Sequence, residues 1–149
     1  MRIAAAGLFL FTLLFPAFAQ EFGGTWMFSR EEPQTGSLPE APAEALEIVQ
    51  QSNLVRCTAR RRAGDRPLIL SFTLDGKETK AKDGAKTLST EAKWEGSALL
   101  VNTIVNGPGS SYTQMDRWRV SRDGGRLTIR REIVRRDAHA ESVLVYRRK

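Results

Sequence analysis

The chain has 149 residues, with 23 Lys and Arg against 17 Asp and Glu, one His, one Cys and three Trp. That length bounds it to one ordinary globular domain, and a single Cys excludes an internal disulfide scaffold. The basic excess favours anionic surfaces or carboxylate ligands, but no nucleic-acid partner is expected, because aromatic residues do not interleave with the arginines as a single-strand platform requires.

The first segment reads as a removable leader. Arg2 supplies a positive start, Ile3 to Phe15 an apolar stretch, and Ala17-Phe18-Ala19 a small-x-small cleavage site. Cleavage after Ala19 is expected, leaving a domain over 20–149 that is secreted or periplasmic. A transmembrane helix needs roughly 20 apolar residues, so this stretch is too short to span, and no later one comes close.

Beyond Gln20 short apolar and polar residues alternate, broken at Asp75-Gly76, Asp83-Gly84, Glu95-Gly96, Asn106-Gly107 and Asp123-Gly124. Such pairs suit tight hairpin turns, because their central residues tolerate positive φ. The pattern predicts ten strands, near residues 24–29, 46–51, 54–62, 68–74, 77–81, 86–94, 97–105, 112–121, 126–135 and 142–148. Residues 30–45, with Pro33, Pro39 and Pro42, form a loop, with a short helical turn expected at 43–46.

Turn position sets register, and a one-residue slip would exchange the faces of a strand. A turn at Asp123-Gly124 pairs Val120 with Leu127, Trp118 with Ile129, Asp116 with Arg131 and Gln114 with Ile133. A turn at Glu95-Gly96 pairs Ala92 with Leu99, Thr90 with Val101 and Leu88 with Thr103. A turn at Ser52-Asn53 pairs Gln50 with Val55, Ile48 with Cys57 and Leu46 with Ala59. The three turns agree on one inner face. Sequential hairpins leave two open edges, and closing the sheet removes them, so the expected fold is all-β, an up-and-down meander closed into a barrel of 8–10 strands. A sandwich would need long crossing connections. An outer-membrane barrel would need apolar outer faces, whereas these carry Arg, Lys and Glu.

Asp116 and Arg131 fall on the inner face, where either alone would cost several kcal/mol, so they should pair. The pair is either a polar anchor for a ligand head group, with Gln114 and Tyr112 beside it, or a structural ion pair. Trp94, Leu99, Val101, Trp118, Ile129 and Ile133 should wall the lumen, and the two large rings either line a cavity or fill it. Arg56, Arg60 and Arg62, with Arg117, Arg119, Arg130 and Arg136, lie on outer faces, as a patch for anionic envelope components or as a solvated surface. Cys57 reads as a small buried residue with nothing basic on its own face, and His139 as solvated in the 137–140 turn. With one His and one Cys, no catalytic triad, metal site or cofactor motif is visible.

Phe22-Gly23-Gly24-Thr25-Trp26 resembles the Gly-x-Trp opening of the lipocalins. Trp94 to Leu99 and the closing Val145-Tyr146-Arg147-Arg148 resemble segments of the related fatty-acid-binding proteins. The mature chain as a whole resembles small exported bacterial lipocalin-like proteins. This resemblance implies that Trp26 plugs the barrel floor beneath Arg147 or Arg148. It also implies a lumen that binds a small hydrophobic or amphipathic molecule without catalysis or cofactor. The fatty-acid-binding Arg-x-Tyr clamp is incomplete here, since Leu144 stands two residues before Tyr146, which as a lumen residue keeps at most half of it. The competing expectation is a filled barrel acting through its outer arginines.

Overall fold

Residues 21–31 and 40–149 are described by the structure, a computed structural model; the expected leader and Pro33 and Pro39 lie outside them. Alternation resolves into ten strands: β1 (Gly24–Phe28), β2 (Ala45–Gln51), β3 (Leu54–Arg60), β4 (Leu68–Thr73), β5 (Thr79–Asp83), β6 (Lys86–Glu95), β7 (Ala98–Gly107), β8 (Ser110–Val120), β9 (Arg126–Val134) and β10 (His139–Arg148). All pairings are antiparallel, in the order β4-β3-β2-β1-β10-β9-β8-β7-β6-β5. Because β1 pairs with β10, the first and last strands meet and the meander rolls into a cylinder. The expected helical turn at 43–46 is absent: Ala45 and Leu46 begin β2, where Leu46 faces Trp26 across the ladder and is buried. Burial of that apolar side chain outweighs a local turn preference.

Two of the three anticipated registers are observed. Asp116 faces Arg131, Trp118 faces Ile129 and Gln114 faces Ile133, and Gln50 faces Val55 with Ile48 opposite Cys57. The third differs. Glu95 pairs with Ala98, so the turn is Gly96-Ser97, and Ala92 faces Val101, Thr90 faces Thr103 and Leu88 faces Val105. Gly96 takes the positive φ of 59° that opens this turn. Partners move by two residues, so the inner face is preserved. Other turns shift likewise: Asp83 pairs with Lys86 around Gly84-Ala85, and Gly107 pairs with Ser110 around Pro108-Gly109.

Closure is incomplete at one seam. β4 and β5 are the two ends of the sheet order, so Asp75-Gly76 does not join a hydrogen-bonded hairpin. The chain instead reaches past β5: Asp75 bridges to Lys93, and the Gly76 N–H donates to the Ala92 carbonyl at 2.9 Å. Inside, Trp26, Tyr146, Phe22, Phe72, Leu99, Leu127 and Ile129 are fully buried, each of the aliphatic and Phe side chains contributing about 1.5–3 kcal/mol.

Candidate functional site

One end of the barrel is plugged. Phe22 precedes β1 and turns beneath it; its N–H donates to Gln50 Oε1 at 3.0 Å and its carbonyl accepts from Trp26 Nε1 at 2.8 Å. The Phe22 ring stacks on Trp94 with centroids 5.5 Å apart and meets Trp118 edge-on at 6.0 Å, while Phe72 meets Trp118 at 6.2 Å. These separations are the favoured ones for ring quadrupoles. The Arg148 guanidinium lies 4.3 Å from the Trp26 ring centroid and donates to the Gly23 carbonyl at 2.6 Å and the Gly124 carbonyl at 2.8 Å. Of the two expected arginines, Arg148 therefore covers Trp26. Arg147 sits on the outer row, where it acts electrostatically on Asp123. Gly24 has φ of 132°, and a Cβ there would lie 2.5 Å from Arg148 Nη1, so the motif glycine makes room for the arginine.

Above the plug lies a half-open cavity of about 120 Å³. Tyr112, Gln114, Asp116, Trp118, Ile129, Arg131 and Tyr146 line it, as expected for lumen residues, together with Val101. Trp94, Leu99 and Ile133 do not. Trp94 is committed to Phe22 in the plug, and Leu99 faces Trp94 and Trp118 there. Ile133 is buried beside Gln114 beyond the cavity. Both outcomes anticipated for the large rings therefore occur, since Trp94 fills and Trp118 both fills and lines.

The polar point is a fork-to-fork pair. Arg131 Nε donates to Asp116 Oδ1 and Nη2 to Oδ2, each at 2.8 Å. Asp116 also accepts from Gln114 Nε2 at 3.3 Å and Trp118 Nε1 at 3.4 Å. Its side chain is 3% exposed against 21% for Arg131, so the carboxylate lies deep and the arginine leads toward the mouth. Burial works to lower the arginine's affinity for its proton, but the carboxylate outweighs it and the net shift is upward. Burial pushes the Cys57 thiol up to about 12, with Arg131 opposing and Asp116 reinforcing. A cation thus reaches Cys57 from across the lumen, although its own strand face offers none. The same burial raises Tyr146, whose hydroxyl donates to the Ala43 carbonyl at 3.1 Å, and half-buried Tyr112.

Further charged residues at the mouth escaped the sequence reading. Arg61 makes two 2.9 Å bonds to Asp83, spanning the seam from the end of β3 to the end of β5. Lys86 holds Glu40 at 2.9 Å. All four line the cavity. Arg61 extends the inward row Val55, Cys57, Ala59, and that parity was the available signal. Each cation around the cavity therefore has a built-in carboxylate partner, and the lining is electrically self-compensated.

Three of the seven outer arginines hold carboxylates: Arg60 bonds Glu47 at 2.7 Å, Arg117 bonds Glu95 at 2.7 Å and Arg130 bonds Glu141 at 3.2 Å. His139 is not in a turn; it opens β10 and contacts Glu132 Oε1 at 2.6 Å on the outer surface. Cys57 is free and buried.

Among solved structures, the chain is similar to a secretory abundant heat soluble protein of Ramazzottius varieornatus. The TM-score is 0.62 at 13% identity, covering 86% of this chain and 95% of that one. The zebrafish ileal bile-acid-binding protein, solved with cholic acid, gives a TM-score of 0.60 at 21% identity, covering 86% and 98%. Secretory abundant heat soluble protein 4 of the same Ramazzottius gives 0.53 at 11%, covering 85% and 94%. The fold is a lipocalin-like barrel. No protein-family model and no curated protein sequence matches the chain.

Proposed function

We propose that the chain is a non-enzymatic binding barrel for a compact, uncharged amphipathic molecule. The observation that carries this reading is a half-open cavity with apolar walls and ion-paired charges, whose arginine at the polar point has its fork already held by Asp116. A ligand carboxylate would meet an arginine already neutralised and would lie beside the buried Asp116 carboxylate, which repels it. A hydroxyl, carbonyl or amide can instead use Arg131 Nη1, the Tyr112 hydroxyl and Gln114. The zebrafish relative in fold was solved with cholic acid, whereas the present cavity holds about 120 Å³. Drug-sized sites begin at about 300 Å³, whereas a cavity of about 150 Å³ accepts benzene. The occupant is therefore of the order of one small ring or a short chain.

Trp118 lines the cavity and reports its filling. Titrating intrinsic fluorescence with cyclohexanol and with cyclohexanecarboxylate should show saturable binding of the alcohol and at least tenfold weaker binding of the acid. Equal affinity for both, or binding of neither, would reject the assignment. The leader reading belongs to the same proposal: the exported product should begin at Gln20, which N-terminal sequencing of secreted material checks.

A further inference from the structure

Antiparallel order places the β2–β3, β4–β5, β6–β7 and β8–β9 turns at the plugged end, with residues 21–23 and Lys149. Those segments and the three strand residues nearest each carry ten Lys and Arg against five Asp and Glu. All other described residues carry 12 against 11. Nearly the whole net charge of the barrel is thus concentrated at the end remote from the cavity mouth. The bias is sharpest on β8–β10, where Arg119, Arg122, Arg126, Arg147 and Lys149 gather and Arg126 faces Arg147 directly across the ladder. Asp123, on which Arg147 acts, is the one carboxylate of this group, so the group keeps a net positive charge.

The same end exposes apolar side chains. Val49 is 54% and Leu54 47% exposed, on the hairpin of β2 and β3, beside the Ser52-Asn53 turn. The large aromatic rings of this end are in the plug, so none is presented for stacking on bases. A rim of cations around a closed barrel end, with aliphatic side chains at its edge, matches a planar anionic interface.

We propose that the plugged end is a docking face for an anionic phospholipid surface, which leaves the cavity mouth directed away from the membrane. This does not rest on the ligand reading, because the face and the cavity share no wall of the mouth. Juxtamembrane basic residues each strengthen binding about fivefold near an anionic leaflet, so Arg119→Gln/Arg122→Gln/Lys149→Gln should weaken partitioning on the order of 100-fold.

The test is co-sedimentation of the chain with vesicles of equimolar phosphatidylglycerol and phosphatidylcholine, against pure phosphatidylcholine, at low and high salt. Binding to the anionic vesicles alone, reduced by salt and lost in the triple variant, is the expected result. Arg62→Gln/Arg66→Gln/Arg136→Gln, at the mouth end, removes the same charge and should retain binding; circular dichroism confirms that both triples fold. Equal loss in the two triples would show that only net charge matters and overturn the proposal. So would absence of anionic-vesicle binding, or tighter binding to heparin or duplex DNA than to vesicles at equal salt.

Discussion

Replacing Arg131 by Met strands the Asp116 carboxylate, whose side chain is 3% exposed, with only the 3.3 Å and 3.4 Å contacts from Gln114 and Trp118. Breaking a buried pair from one side costs about 3–5 kcal/mol, mainly through the uncompensated charge. Asp116→Leu strands a different partner. Arg131 is 21% exposed toward the mouth and can reach water, so this loss should be smaller, about 2 kcal/mol. In the double variant both charges are gone and apolar groups of similar shape remain, which is often close to neutral. The expected order of stability is therefore double variant, then Asp116→Leu, then Arg131→Met, with a coupling energy of at least about 2 kcal/mol. Urea denaturation of the four proteins, followed by Trp fluorescence and extrapolated linearly, measures it. Losses that add to within about 0.5 kcal/mol would refute the claim that the two groups depend on one another.

Gly24→Ala should destabilise the barrel by about 1–3 kcal/mol, because it strains a positive φ and pushes Arg148 off Trp26; a calorimetric Tm reads it. Phe22→Ala should cost about 3–5 kcal/mol and deepen the lumen, so longer n-alcohols should quench Trp118 in the variant but not in the parent. Alkaline stability follows from Cys57, which stays protonated in the fold to about 12 while the unfolded chain releases its proton near the ordinary 9.0. The unfolded state then binds fewer protons, so stability is unaffected below pH 9.0 and falls as pH rises toward about 12. The decline reaches at most about 1.4 kcal/mol per pH unit. Cys57→Ala should flatten this decline in urea titrations at stepped pH, and an unchanged slope would count against the thiol's burial. Arg61→Met should loosen the seam between β4 and β5, seen as faster amide exchange in Thr79–Asp83 and little change in β9.

The ten strands, the inner face and the Asp116–Arg131 pair were all legible in the chain alone, because each depends on alternation of period two and on turns a few residues long. Trp118 and Ile129 could be placed inside for the same reason. Turn pairs such as Glu95-Gly96 and Gly96-Ser97 are near-equivalent locally, so the choice between them fell to packing of Leu99 between Trp94 and Trp118. The choice of Arg148 to cover Trp26, the entry of Phe22 into the plug, the seam and the mouth pairs were decided in three dimensions. Arg148 reaches Gly23 across 125 residues and Tyr146 reaches Ala43 across 103, separations over which no local pattern carries information. Alternation can say that a side chain faces inward. How much space remains there is set by which distant ring arrives first, and Phe22, lying outside every strand, takes that place and shortens the lumen.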